Sequence, residues 1–275
     1  MAIDKVTGTA WADLSKISNV AKADIAKVAG QDAPSGGSGG SVVTNNLMYH
    51  WDFNDSNFYS SGSSFTDLSN GNTGTLGGSL AVSGTSPKYI SMDGVNDYAQ
   101  VAGSGTFPTN FTVEIWIQRF TNQEVWIMNR GYFTDCTTTN AGYWMKVNTS
   151  GDVQYTGRTS AFGGYTYTLT SGGPITPNTW KCITWVTVPA ANGNISVTAY
   201  INGVSAGSST IFGGTPDLCS TTSKLTVGNV VTSDGSLNSS GYRSYNLSEA
   251  RVYDAALTST EVLANYNARK ATYGL

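Results

Sequence analysis

The side chains that could perform catalysis are few and widely spaced in this sequence. There are four glutamates, Glu114, Glu124, Glu249 and Glu261, and one histidine, His50. A glycosidase needs two carboxylates facing each other across a sugar cleft, and no Glu-x-Asp-x-Glu pattern places two on one strand face. A Ser-His-Asp mechanism would have to use His50, which lies in a Tyr-His-Trp stretch without a nucleophile motif. We therefore expect no enzyme activity, with glycan hydrolase as the minority alternative.

Two of the glutamates have simpler structural explanations. Glu249 precedes Arg251 by two residues, a spacing that predicts a same-face ion pair on a strand. Thr258 and Glu261 form a Thr-x-x-Glu capping box ahead of an apolar helical pattern. The sequence therefore predicts one short helix near the C-terminus.

Metal and disulfide chemistry is weakly supported. Of the three cysteines, Cys182 lies in the strand-like "TWKCITWV" and is expected to be a small buried hydrophobe. Cys136 and Cys219 fall in Thr-rich loop-like stretches and could meet in space, although free thiols in a cytosolically assembled protein are the favoured interpretation. Zinc would require His50 together with nearly every cysteine.

Calcium is the one cofactor that the sequence leaves open. Asp67 and Asn70 in "DLSNGN" offer oxygen ligands, but Asp and Asn beside glycine are also what turns require without any metal. We therefore expect no cofactor, with calcium at Asp67 and Asn70 as the alternative.

Aromatic side chains in two glycine-rich stretches could stack on sugar rings. The stretches are "GYFTDCTTTNAGYWMKV" and "YTGRTSAFGGYTYTL", and the candidates are Tyr132, Tyr143, Trp144, Arg158, Tyr165 and Tyr167. The alternative is that tyrosines such as Tyr165 and Tyr167 line one strand face against a second sheet. Trp116, Trp180 and Trp185 are expected in the core.

The N-terminal residues 1–32 have a pattern unlike the rest of the chain. Their apolar stripe repeats every eleven residues, as in a helix, and includes Val6, Leu14, Ile17, Ile25 and Val28. One continuous helix and a series of short helices closed by Gly or Asn both fit, and a disordered tail is the alternative that the repeat argues against. Because so short an apolar stripe cannot bury itself within the arm, we expect it to dock on a partner protein. Packing of the stripes of three copies would give a homotrimer.

The remainder divides into a Gly/Ser-rich linker, residues 33–45, and a domain of short strands, residues 46–275. "FTVEIWIQRF" alternates apolar and polar residues, and Asn202-Gly203 is a strong hairpin signal. Such runs recur with Gly- and Asn-rich turns between them. The sequence therefore predicts an all-β, two-sheet antiparallel sandwich with a short N-terminal docking arm and a short C-terminal helix.

Charge and hydropathy exclude several partners. The net charge of −3 provides no basic patch for nucleic acid, and no apolar run is long enough to span a bilayer. The N-terminus also lacks the apolar core of a signal peptide, so we expect synthesis in the cytoplasm without secretion by that route.

Several segments, in order, resemble a laminin-G-like (concanavalin A-like) lectin jelly roll: "LMYHWDFND", "DLSNGNTGTLGG", "YISMDGVNDYAQV", "FTVEIWIQ", "NTWKCITWV", "VTAYINGVSAG", "LTVGN" and "EARVYDAALTSTEVLANYNA". The resemblance covers roughly Leu47 to Leu275. One departure is "YNLSEARVY", where the family usually has Gly and Asp before the Glu-x-Arg element.

The lysine-rich arm and the ending "EVLANYNARKATYGL" are similar to versions carried by tailed-phage virion proteins. The resemblance implies a structural protein at the virion surface, whose arm docks into other virion proteins. Its jelly roll would then decorate the particle or adhere to host glycans. A stand-alone carbohydrate-binding module or a cell-surface lectin is the alternative.

Overall fold

The structure, a computed structural model, describes residues 41–102, 110–130, 142–159, 163–169, 174–191, 194–211, 224–229 and 243–275. The predicted arm, most of the linker, Tyr132, Cys136 and Cys219 lie outside these residues. The domain boundaries therefore stay predictions.

Sixteen strands are present in the described part of the chain. They are β1 Leu47–Asp52, β2 Ser64–Thr66, β3 Thr73–Gly77, β4 Val82–Ser83, β5 Tyr89–Asp93, β6 Tyr98–Val101, β7 Phe111–Arg119, β8 Val125–Arg130, β9 Gly142–Val147, β10 Val153–Thr159, β11 Gly163–Leu169, β12 Trp180–Pro189, β13 Ile195–Ile201, β14 Val204–Ile211, β15 Leu225–Val227 and β16 Ser244–Tyr253. One α-helix, α1 (Ser259–Arg269), is followed by a 3-10 helix at Lys270–Tyr273.

The strands form two antiparallel sheets, as predicted. Sheet A has the order β14-β13-β12-β7-β16-β5-β4, with β1 also paired to β16. Sheet B has the order β11-β10-β9-β8-β15-β6-β3-β2. Neighbours in space that are distant in sequence, such as β7 and β16, give the crossed connections of a jelly roll. The all-β sandwich with a C-terminal helix is therefore confirmed.

The core lies between the sheets and follows from the alternation of side chains along each strand. In β7, Val113, Ile115 and Ile117 join the main buried cluster. The residues between them, Glu114 and Trp116, belong to the opposite face. We call that face, which points away from the core, the outer face of sheet A.

The C-terminal helix begins at the predicted capping box. Thr258 accepts a hydrogen bond from the Glu261 backbone N–H, and the Glu261 carboxylate accepts one from the Thr258 N–H at 2.7 Å. The hairpin between β13 and β14 turns at Asn202 and Gly203 with φ values of 53° and 76°. Among the described residues, no helix is long and apolar enough to cross a membrane.

Candidate functional site

A group of buried charges lies on the outer face of sheet A, where α1 covers it. Arg251 of β16 donates to Glu114 of β7 at 2.5 Å and also to Glu249 of its own strand. The predicted Glu249–Arg251 ion pair is therefore confirmed, and Glu114 joins it because β7 is the neighbouring strand. All three side chains are almost fully buried.

Arg269, near the end of α1, extends this network. It donates to Glu249 Oε2 at 2.8 Å and to Asp52 Oδ2 of β1 at 2.7 Å. Asn265, one turn earlier, donates to Glu114 Oε2 at 3.1 Å and accepts from the Val43 backbone N–H at 2.8 Å. The helix is thus held to three strands, and to Val43 just before β1, through charged and amide groups.

His50 lies at the edge of the network, with Nε2 3.2 Å from Glu249 Oε1. Burial and then the Arg251 cation, with a smaller contribution from Arg269, lower the pKa of His50 to about 4 against the opposing effect of Asp52. The imidazole is therefore neutral at pH 7, and its contact with Glu249 is a hydrogen bond rather than an ion pair. The charge of Glu249 is already balanced by Arg251 and Arg269.

His50, Asp52 and Glu249 also place three possible metal-ligand atoms within 4.8 Å of one another. Arg269 bonds both carboxylates at this point, and Arg251 bonds Glu249 as well. A divalent cation would have to displace a guanidinium and then lie beside two positive charges. The donor set therefore fits an ion-pair network better than a metal centre.

Five aromatic rings continue along the outer face of sheet A, and we call them the aromatic strip: Tyr266, Trp116, Tyr273, Trp180 and Tyr89. Trp116 stacks on Tyr273 with ring centroids 3.8 Å apart and on Tyr266 at 5.8 Å. Trp180 lies 5.2 Å from Tyr273, and Tyr89 lies 5.7 Å from Trp180. The strip joins α1 and the 3-10 helix to β5, β7 and β12.

The strip is buried in its middle and open at its ends. Trp116 and Tyr273 are buried, whereas Trp180 and Tyr89 are half-buried. The prediction that Trp116 and Trp185 are buried is confirmed. For Trp180 it holds only in part, because this residue begins β12 and packs against the buried Trp116 and Tyr273 while one side stays open. The Tyr89–Trp180 end therefore presents aromatic surface to solvent.

Amide side chains accompany this open end. β5, β16, β7 and β12 align Ser91, Asn246, Gln118 and Trp180 in one cross-strand row. Asn246 Nδ2 donates to Gln118 Oε1 at 2.8 Å, and Gln118 Nε2 donates to the Asn178 carbonyl at 3.2 Å. An aromatic platform beside hydrogen-bonding amides is a combination suited to sugars, whose rings have both apolar faces and hydroxyls.

Ser248, the residue before Glu249 of the buried charge network, helps to position Tyr89. Ser248 Oγ donates to the Lys88 carbonyl at 2.6 Å and accepts from the Tyr273 hydroxyl at 3.1 Å. Asn54 accepts from the Lys88 N–H at 2.7 Å. Ser248 lies just before the Glu-x-Arg element, where the resembling family usually has Gly and Asp, and its side chain has a defined role here.

The sugar candidates named from the sequence lie elsewhere, on sheet B and its loops. Tyr143 is 0% exposed and packs in the core with its ring 4.9 Å from Phe111, so its assignment to a sugar-binding surface is wrong. Its strand "GYWMKV" buries Tyr143 with Met145 and Val147 by simple alternation. This alternation is visible in the sequence and would have placed Tyr143 in the core.

The other candidates remain predictions. Register pairs Tyr167 with Tyr155 and Tyr165 with Gly157, and pairs Trp144 with Thr156 and Arg158 with Gly142. The side chains of Trp144, Arg158, Tyr165 and Tyr167 are outside the described set, as is the whole of Tyr132.

The calcium candidates have turn-forming roles. Asp67 is buried and accepts from the backbone N–H groups of His50, Ser69 and Asn70. Asn70 donates to the Met48 carbonyl at 2.8 Å and accepts from the Asn72 N–H at 2.9 Å. Both side chains are fully used in holding this loop against β1, which favours the turn interpretation over an ion site.

Comparison with known proteins gives the family. A family model, the concanavalin A-like lectin/glucanases superfamily (Laminin_G_3), matches residues 93–263, which is more than half of the chain. The chain belongs to this superfamily. A search of curated proteins found no sequence match to this chain.

Solved structures with the same fold have low sequence identity to this chain. The receptor-binding domain of botulinum neurotoxin C/D mosaic serotype is 14% identical with a TM-score of 0.58, covering 82% of this chain and 52% of that one. The binding domain of Paraclostridial Mosquitocidal Protein 1 is 16% identical with a TM-score of 0.58, and the match covers 82% of this chain and 52% of that one. Our chain therefore spans about half the length of these toxin domains.

A third neighbour is matched over nearly its whole length. Domain 4 of AbnA, a GH43 extracellular arabinanase from Geobacillus stearothermophilus in complex with arabinotriose, is 17% identical with a TM-score of 0.55. The match covers 80% of this chain and 98% of that domain. At these identities the likeness establishes the jelly-roll fold.

Proposed function

We propose that this protein is a non-catalytic carbohydrate-binding jelly roll presented at the surface of a tailed-phage particle. The observation that carries the binding role is the half-buried Tyr89–Trp180 pair beside the amides of Asn246 and Gln118. Membership of the lectin/glucanase superfamily supports it, as does the likeness to a domain whose structure contains arabinotriose.

The four glutamates support binding rather than hydrolysis. Glu114 and Glu249 are buried and bonded to arginines, and Glu261 caps α1. Glu124 pairs with Lys146 at 2.9 Å on sheet B. A glycosidase needs one protonated and one ionised carboxyl facing each other at a sugar cleft, and no two of these glutamates are arranged in that way.

The arm, residues 1–32, would carry the assembly role. Docked into other virion proteins, and possible as a homotrimer, it would present several sugar-binding domains at once. Weak individual sites then gain strength through multivalency. This part of the proposal rests on the sequence repeat and on the resemblance to virion proteins.

Two experiments test the proposal. Full-length protein on a glycan array should bind a subset of oligosaccharides, and Trp180→Ala should abolish that binding while Trp180→Phe retains part of it. Phage assembled with a copy lacking residues 1–32 should lose this protein from the particle. Normal incorporation would refute the docking role and favour a stand-alone binding module, whereas silence across the array would refute the binding role.

A further inference from the structure

We propose that Asn246 and Gln118 are the polar half of a subsite for an uncharged, hydroxyl-bearing sugar, with Tyr89 and Trp180 as its apolar half. The inference rests on the proposed carbohydrate-binding function and identifies the site and the class of ligand.

The first observation is an unused buried acceptor. Asn246 is only 4% exposed, and its Nδ2 donates to Gln118. Its Oδ1 atom has no hydrogen-bond partner in the described residues. A buried carbonyl oxygen without a donor destabilises a protein, so a ligand that supplies a donor here gains affinity from the pairing.

The second observation is the placement of the acceptor. Asn246 lies between Tyr245 and Leu247, both in the core cluster, so its side chain is on the outer face of sheet A. Tyr89 and Trp180 come from strands on either side of β16 and β7, yet their ring centroids are 5.7 Å apart. The two rings therefore lean towards each other across β16 and β7, the strands that carry Asn246 and Gln118.

The chemistry of the row decides the class of ligand. Ser91, Asn246, Gln118 and Trp180 carry no formal charge, and Ser91 is exposed at the end of the row. The unused atom is an acceptor, so it attracts a hydroxyl donor and repels a carboxylate or a phosphate. Aromatic faces add contact with the C–H side of a sugar ring. A neutral glycan satisfies both halves of the subsite.

The chain supplies a matched control on the other sheet. Asn129 of β8 is 2% exposed, its Nδ2 donates to the Asn229 carbonyl, and its Oδ1 is likewise without a partner among the described residues. Asn129→Ala therefore makes the same chemical change, with similar burial, away from the Tyr89–Trp180 pair.

The test uses full-length protein on an array of neutral and acidic oligosaccharides, followed by calorimetry with the neutral oligosaccharide that binds best. Asn246→Ala and Gln118→Ala should each weaken binding about tenfold or more, and Asn129→Ala should leave it within about twofold. Gln118 is half-buried, so its variant stays informative if Asn246→Ala fails to fold.

Four results would overturn the inference. Wild-type affinity in both the Asn246→Ala and Gln118→Ala proteins would refute this subsite and leave carbohydrate binding standing. Binding restricted to acidic oligosaccharides, or an equal loss in Asn129→Ala, would also refute it. No binding to any oligosaccharide would refute the proposed function and the subsite together.

Discussion

Replacing Arg251 with methionine tests whether the buried charge network holds α1 on sheet A. Arg251 is the cation between Glu114 and Glu249. Without it, Glu249 keeps Arg269, whereas Glu114 keeps only the Asn265 amide among its described partners. Methionine fills a similar volume but leaves one buried carboxylate without a counter-charge.

The structure sets the size of the effect. Breaking a buried ion pair by removing one partner costs about 3–5 kcal/mol, because the remaining charge stays desolvated. Small domains are stable by about 5–15 kcal/mol in total, so Arg251→Met should lose a large share of the free energy of unfolding. Urea unfolding at pH 7, followed by tryptophan fluorescence, measures it.

Lys146→Met provides the comparison for this prediction. Lys146 and Glu124 also form an ion pair, at 2.9 Å, but their side chains are 15% and 29% exposed. Water screens such a pair, and its loss should cost about 1 kcal/mol or less. If Arg251→Met proves no more destabilising than Lys146→Met, the buried network does not contribute to stability as argued.

Three further predictions concern stability and use the same urea assay. The free energy of unfolding should fall between pH 6.5 and about pH 4 by up to about 1.4 kcal/mol per pH unit, because unfolded His50 takes up a proton below pH 6.5 and native His50, with its pKa lowered to about 4, does not. His50→Gln should flatten that slope, and an unchanged slope would contradict the assignment. Thr258→Ala removes the capping box of α1 and should cost about 1 kcal/mol, so an unchanged urea midpoint would count against the cap. Gly203→Ala should cost more than Gly71→Ala: both glycines have φ near +75°, but only at Gly203 does the added methyl meet Leu263, at 3.0 Å. Equal losses would mean that α1 does not press on this hairpin.

Local signals in the sequence predicted much of the fold. The period-two alternation of β7, the Asn202-Gly203 turn and the Thr258–Glu261 capping box each depend on neighbouring residues only. The Glu249–Arg251 pair was also predictable, because residues two apart on a strand share a face. Cys182 is a free buried thiol, as expected from its apolar surroundings.

The candidate site was less predictable because its parts come together through strand order. Tyr89, Gln118, Trp180 and Asn246 lie on four different strands, and their pairing depends on the order β12-β7-β16-β5. Nothing in a single sequence states that order. One signal was available: Trp116 is out of phase with Val113, Ile115 and Ile117, which places an indole on the outer face of its sheet.

Tyr273 links the buried charge network, which stabilises the fold, to the Tyr89–Trp180 pair of the proposed binding site. Its ring stacks on Trp116 and contacts Trp180, while its hydroxyl donates to Ser248. Ser248 in turn bonds the carbonyl of Lys88, the residue before Tyr89. Both rings of the open end are thus held by contacts that lead back to Tyr273. Because the buried network anchors α1 and the 3-10 helix follows it directly, the same charges that stabilise the fold fix the geometry of the exposed aromatic pair.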